Sequence, residues 1–301
     1  MKNKGDLKMK KSIIAVVSIV IVCVIGVFAF TACGNNEEKN INVIARDSTS
    51  GTREAFESLI KNTDGTKLEG NMTATAEELE ATSAVIAKVQ SNKTAIGYIS
   101  LGSLDSTVKA VRVDGVEATV VNVQNGTYTL YRPFVIVTNK TITDAGNLTA
   151  ATKDFLKYLK SAAASEIAAD KGFVPNTDNN AAFTSDLSGG TVILRGSTSV
   201  EKVMTVLMDS YKKLNPNVTF DINCQGSGAG RTAAKEDTAG NVIGMSSSAI
   251  KAEDEGYFVQ FNLAQDAVAV IVNVSNNIDN LTTKNIYDIY TGAVTKFSEI
   301  A

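Results

Sequence analysis

The chain has 301 residues, a formal net charge of -3, and 44% hydrophobic against 20% charged residues, which suits one large or two medium packed domains. The acidic balance excludes the basic footprint that nucleic-acid backbones require. There is no histidine, and the three cysteines stand apart at 23, 33 and 224, which excludes Ser-His-Asp and Cys-His catalysis and any zinc site built on histidine or clustered cysteine.

The N-terminus carries an export pattern. Lys8, Lys10 and Lys11 precede the apolar run Ser12–Phe30, a basic patch before a hydrophobic segment. The run is also long enough to span a bilayer. Thr31 and Ala32 then lead into Cys33 and Gly34. Small residues before a lone cysteine resemble the bacterial lipoprotein processing site. That resemblance implies a signal segment over 1–32, lipidation of Cys33 and a polar tether over 33–40. Cleaved or retained, the segment places the body on the extracytoplasmic face of the cell membrane. Cys224 alone remains in the body, so no internal disulfide is expected.

In chain order, Ile41–Ala45 reads as a strand and Thr52–Ile60 as a helix with an apolar stripe. Glu77–Gln90 repeats the helical period, and Ala95–Leu101 is an apolar strand. Val108–Val113 and Ala118–Val123 flank Asp114-Gly115, which predicts a hairpin. A strand follows Pro133, and Thr152–Asp170 reads as one long amphipathic helix. Ser185–Gly190 is a polar, glycine-rich surface linker. A strand from Thr191 then enters a helix over Val200–Leu214. Val218–Ile222 is a strand, followed by the turn QGSGAG and a helix over 229–236. Val242–Met245 and Ala267–Val272 are strands, and Leu281–Tyr290 is a helix with Thr282 as a plausible N-cap. Short apolar strands alternating with helices predict an α/β architecture, with ligands at the carboxyl ends of strands.

Four polar turns follow strands. ARDSTSGT spans Ala45–Thr52, and LRGSTSV spans Leu194–Val200 in a second copy of the same strand–turn–helix unit. QGSGAG covers 225–230 and GMSSS covers 244–248. Free N–H groups in first helical turns, the helix dipole and rotatable hydroxyls favour an anion there. The same hydroxyls serve equally as helix caps. Arg46 adds a fork that matches an oxyanion. Arg195 holds the same place in its unit but reads equally as a solvated strand end. QGSGAG lacks the Gly-Lys-Ser/Thr ending of a nucleotide loop. No metal site or cofactor is expected.

On ARDSTSGTREAF, YTLYRPFVIVT, GTVILRGSTSVEKVM, CQGSGAGRTAA, VIGMSSSAI, QDAVAVIVNVSN and LTTKNIYDIYTGAVTKFSEI, residues 41–301 resemble the phosphate-binding proteins of bacterial ABC-type phosphate importers, in their Gram-positive lipoprotein form. The resemblance implies a two-lobed, type II periplasmic-binding-protein-like α/β fold, with hinge strands and a central ligand cleft. It implies a monomer that binds inorganic phosphate, docks on membrane permease subunits and is not an enzyme. By motif, the phosphate ligands are Arg46, Ser50, Gly51, Thr52, Ser199, Val200, Ser227 and Ser247. Asp47, Arg53, Thr198, Gly228, Arg231 and Asp266 are further candidates.

Two departures stand out. Serine occupies position 247, where some relatives carry an aspartate that accepts the proton of hydrogen phosphate; Asp47 and Asp266 are the candidate replacements. The segment order also looks circularly permuted, with residues 178–190 joining the usual ends. One lobe would then comprise 41–128 plus 272–301 and the other 129–271. Alternatives are a binder of sulfate, molybdate or tungstate, a phosphatase-type enzyme, or a structural surface lipoprotein.

Overall fold

The computed structural model describes residues 40–300; the expected signal segment, Cys33 and most of the tether lie outside the described residues. The first half contains β1 (Asn42–Arg46), α1 (Gly51–Leu59), β2 (Glu77–Leu79), α2 (Thr82–Ser91), β3 (Ala95–Ser100), β4 (Val108–Ala110), β5 (Arg112–Val113), α3 (Val120–Gln124), β6 (Tyr131–Asn139), α4 (Lys140–Asp144), α5 (Ala150–Leu159), α6 (Ala162–Asp170) and β7 (Val174–Pro175). The second half contains β8 (Gly190–Gly196), α7 (Thr198–Leu214), β9 (Val218–Asn223), α8 (Ser227–Lys235), β10 (Val242–Ser246), β11 (Phe258–Asn273), β12 (Asn280–Leu281) and α9 (Thr283–Thr291).

Ten strands form one sheet in the order β2-β1-β3-β11-β6-β10-β8-β9, with β4 and β7 also pairing to β11. β1 is parallel to β2 and β3, and β8 is parallel to β9 and β10. The long strand β11 runs antiparallel to its partners, with β6 along Phe258–Ala267 and with β3 along Val268–Val272. Alternation sets the two faces of β6. Phe134 and Ile136 join one apolar cluster, whereas Val135 and Val137 face Ala234, Ile250 and Phe258 in another.

The apolar side chains divide into two main cores. One draws on Val43–Leu130 and Ala267–Tyr290. The other draws on Phe134–Ala264. β6 and β11 therefore carry the chain from one core to the other, and the second passage falls between Ala264 and Ala267, earlier than the crossing expected near Val272. The reason lies in β11 itself, whose continuous apolar run AVAVIV packs against β3 and β4.

Four local expectations change. The helical stretch expected from Glu77 begins only at Thr82, because Glu77–Leu79 pairs with β1 as β2. The Asp114-Gly115 turn forms, with φ of 51° and 82°, and Val113 and Val116 exchange backbone hydrogen bonds across it, but the antiparallel pairing stops at that one bridge. Thr119 instead caps α3 by accepting from the Asn122 N–H, and β5 pairs with β12. The helix expected over 152–170 breaks at Ser161, whose hydroxyl accepts from the Ala164 N–H and starts α6. The linker at 185–190 is tied down by the buried Asp154 carboxylate, which accepts from Ser185 Oγ at 2.6 Å, from the Asp186 N–H at 3.3 Å and from Tyr211 Oη at 2.6 Å.

Candidate functional site

The four polar turns sit at the carboxyl ends of β1, β8, β9 and β10, and they meet. Ser50 is the N-cap of α1, accepting from the N–H groups of Thr52 and Arg53. Ser197 caps α7 in the same way, accepting from the Ser199 N–H at 3.1 Å. Both serines thus do what the capping reading of these turns requires. The caps also aim the first turns of the two helices toward each other. Thr52 Oγ1 lies 3.0 Å from Ser199 Oγ.

Gly51 stands against the other two turns. A Cβ at Gly51 would lie 2.3 Å from Ser227 Oγ and 3.0 Å from Ser247 Oγ. Ser227 Oγ accepts from the Ser247 N–H at 3.0 Å, and Ser197 Oγ donates to Ser247 Oγ at 2.9 Å. Ser50, Gly51, Thr52, Ser199, Val200, Ser227 and Ser247 are all buried. Gly228 donates its N–H to the Thr49 carbonyl at 3.1 Å, whereas the Thr198 hydroxyl lies 3.3 Å from that of Thr82. Glycine is required at 226, where φ is 108° and any side chain would strike Thr49. The result is a buried cluster of hydroxyls and helix N-termini, suited to replacing the water shell of a small anion.

The charged candidates are arranged less simply. Arg46 is buried, but its fork serves its own half of the molecule. Nε donates to the Leu79 carbonyl at 3.1 Å, Nη1 to Thr82 Oγ1 at 3.3 Å and Nη2 to the Glu80 carbonyl. Burial pulls its pKa below the usual guanidinium value, and Asp47, 3.7 Å away, opposes that. Arg53 turns to Glu57, Glu78 and the Arg46 carbonyl. Arg231 Nη1 reaches Glu54, Ser246 and Ser248, each at 3.3 Å. Arg195 pairs with Asp221 at the rim.

Asp47 Oδ1 accepts from the Thr49 N–H and hydroxyl, while its Oδ2 is buried without a hydrogen-bond partner among the described residues. Asp266 is committed, accepting from Arg132 Nη2 at 3.2 Å and from the Gly102 N–H at 3.5 Å. Among the described residues no group of acidic or cysteine side chains is placed to hold a metal ion.

Sequence reasoning passed over Arg132 and Glu54. The signal for Arg132 was present, a lone charge in the otherwise apolar strand RPFVIV.

Two segments, 32–163 and 181–300, match the family model of the PBP superfamily domain, and together they contain all four turns. The chain belongs to the PBP superfamily. Among curated relatives of this member, the phosphate-binding protein PstS 2 of Streptococcus pneumoniae is 37% identical over 282 residues, covering 91% of this chain and 94% of that protein. PstS 2 of Streptococcus agalactiae is 35% identical over 285 residues, covering 92% and 94%. The crystal structure of a phosphate-binding protein of a phosphate ABC transporter from S. pneumoniae superposes with a TM-score of 0.66 at 37% identity, covering 87% of this chain and all of that one. The superfamily's two-lobed α/β fold accounts for the paired cores and for the two strands that run between them.

Proposed function

We propose that this protein captures inorganic phosphate outside the cytoplasmic membrane and delivers it to the permease of an ABC importer. The observation that carries the reading is the convergence of four Ser/Thr/Gly turns from separate strand ends, with Gly51 against Ser227 and Ser247 and Thr52 against Ser199. Each turn brings first-turn N–H groups or hydroxyls, the donors that a buried tetrahedral oxyanion needs on every side. The similarity to phosphate-binding relatives over nearly their whole length supports the same reading.

In this scheme phosphate enters between the parted halves and takes its hydrogen bonds from Ser50, Gly51, Thr52, Ser199, Val200, Ser227 and Ser247. The hinge strands then let the halves close over it. Arg46 contributes charge from its carbonyl-lined seat. Asp47 Oδ2, which faces Arg46 Nη2 at 3.7 Å and has no hydrogen-bond partner among the described residues, accepts the P–OH hydrogen bond of hydrogen phosphate, the role that an aspartate in place of Ser247 would play. The protein acts by binding and catalyses no reaction. Lipid attachment at Cys33, a monomeric state and the permuted segment order belong to the same proposal.

A second reading is a binder of another tetrahedral oxyanion, because Asp266, one of the two candidate acceptors, is already spent on Arg132 and Gly102. Calorimetric titration of the protein, stripped of carried-over anion, separates the two. Phosphate should bind saturably, and sulfate and molybdate should be at least tenfold weaker. Tighter binding of sulfate or molybdate would replace phosphate as the ligand, and no saturable heat with any of them would end the anion-binding reading.

A further inference from the structure

Arg132 and Asp266 face each other in the register of β6 and β11, the two strands that run between the cores. Each is 2% exposed. A buried ion pair gains little stability over a well-packed apolar pair, so stability alone gives no reason for it. Its neighbours do give one.

Arg132 divides its donors between the hinge and the candidate site. Nη2 donates to Asp266 Oδ2 at 3.2 Å, and Nη1 donates to the carbonyl of Ser247 at 3.1 Å. Its Nε is fully buried and has no hydrogen-bond partner among the described residues. A buried charged donor without an acceptor is costly. Ser247 is also the residue whose N–H and hydroxyl are held by Ser227 and Ser197 within the hydroxyl cluster. The guanidinium therefore touches the backbone of the cluster directly. Burial pulls the Arg132 pKa down, Asp266 opposes that, and Arg46 adds a smaller downward push.

The neighbouring cations are committed elsewhere. The Arg46 fork holds Leu79, Glu80 and Thr82, Arg53 holds Glu57 and Glu78, and Arg231 holds Glu54. Arg132 alone of these four combines a direct contact to a cluster residue with a buried, uncommitted Nε–H. Asp266 fixes it there, taking Nη2 with one oxygen and the Gly102 N–H with the other.

We propose that Arg132 is a further anion-binding residue of this site, donating its Nε–H to an oxygen of the bound tetrahedral anion, and that Asp266 is the positioning residue that holds the guanidinium beneath the Ser247 turn. The inference rests on the anion-capture reading given above. It makes the hinge pair part of the binding surface, so that closure and anion contact are set by the same two strands.

The test uses inorganic phosphate and two readouts on the same samples, calorimetry and the arginine Nε–H signals in nitrogen-15 NMR, with the Arg132 signal assigned through Arg132→Lys. On saturation with phosphate, the Arg132 Nε–H signal should shift and become protected from solvent exchange. Arg132→Lys keeps the charge but loses Nε, and should bind phosphate roughly ten- to hundredfold more weakly with its melting temperature little changed. Asp266→Asn should retain a shifted Arg132 signal with weaker protection. The double variant R132Q/D266N leaves no unpaired charge in the hinge, so it reports the same affinity loss even if a single variant fails to fold. If phosphate binds but the Nε–H signal does not move, or if Arg132→Lys binds like the parent, the role of Arg132 is overturned while phosphate capture stands. If the parent protein shows no heat with phosphate, the capture reading falls, and this inference with it.

Discussion

Gly51 is held to glycine by its surroundings. Rotating the Ser227 hydroxyl aside would not admit a side chain there, because Ser227 Cβ itself would stand 2.9 Å from the new carbon. Arg46 is a harder residue. Its expected part is to bind the anion, and its observed partners are the carbonyls of Leu79 and Glu80 and the hydroxyl of Thr82. Arg46→Ala should therefore weaken phosphate binding more than tenfold and also lower the melting temperature, since two partly buried carbonyls lose a charged donor. Unchanged affinity in calorimetry would remove Arg46 from the site. Cys224 makes a prediction of a different kind. Burial is the main cause that pushes its thiol up to about 12, so folded protein holds almost no thiolate at pH 8. Modification by a thiolate-selective reagent at that pH should run more than about a hundredfold slower in the folded than in the unfolded chain. The sign of the linkage follows: the raised folded pKa contributes stability that is intact below the ordinary thiol value and is lost as pH rises toward about 12. Equal modification rates in both states would contradict it.

At the scale of elements, the strand–turn–helix units were legible because strand, turn and cap all lie within a few residues of one another. Ser50 and Ser197 each receive two jobs, capping a helix and ordering the site, and local sequence records only the first. The hairpin expected around Asp114-Gly115 goes no further than the Val113–Val116 bridge, because Thr119 offers a cap and β12, distant in sequence, takes the edge of β5. The long helix over 152–170 broke at Ser161 for a similar reason, a capping hydroxyl hidden in a helical period. Arg132 was overlooked because its meaning depends on Asp266, which lies far along the chain and opposite it only in the sheet. The linker at 185–190 was read as free surface, yet Asp154 in α5 gathers Ser185, Asp186 and Tyr211 around one carboxylate. Asp154→Ala should lower stability by roughly 1–3 kcal/mol, since three donors lose their acceptor. Differential scanning calorimetry would read that loss, and limited proteolysis should find new cleavage near Leu187. An unchanged melting temperature would show that the network holds nothing in place.

At the scale of the whole molecule, the two cores are joined across the site by few polar contacts. Thr52 meets Ser199, Thr82 meets Thr198, and the Thr49 carbonyl meets the Gly228 N–H. Glu54, in the first turn of α1, accepts from Ser248 Oγ at 2.9 Å and from Arg231 at 3.3 Å. These groups are partly exposed, so the pair adds only about 0.2–1 kcal/mol to the closed arrangement. Glu54→Gln should accordingly weaken phosphate binding only about two- to fivefold, chiefly through faster release, with a smaller salt dependence than the parent. A loss beyond fiftyfold would make Glu54 a direct ligand instead of a clasp. The fold class was legible from the alternation of elements. The position of the hinge was not, because the apolar run AVAVIV gives no sign of where β11 leaves one core for the other. The most direct test of phosphate capture is a crystal structure of the protein grown with phosphate and stripped of other anions. The anion should lie among Gly51, Thr52, Ser199, Ser227 and Ser247, within hydrogen-bond distance of at least three of their N–H or hydroxyl groups. Phosphate bound elsewhere, with this cluster still closed on itself, would contradict the proposed site.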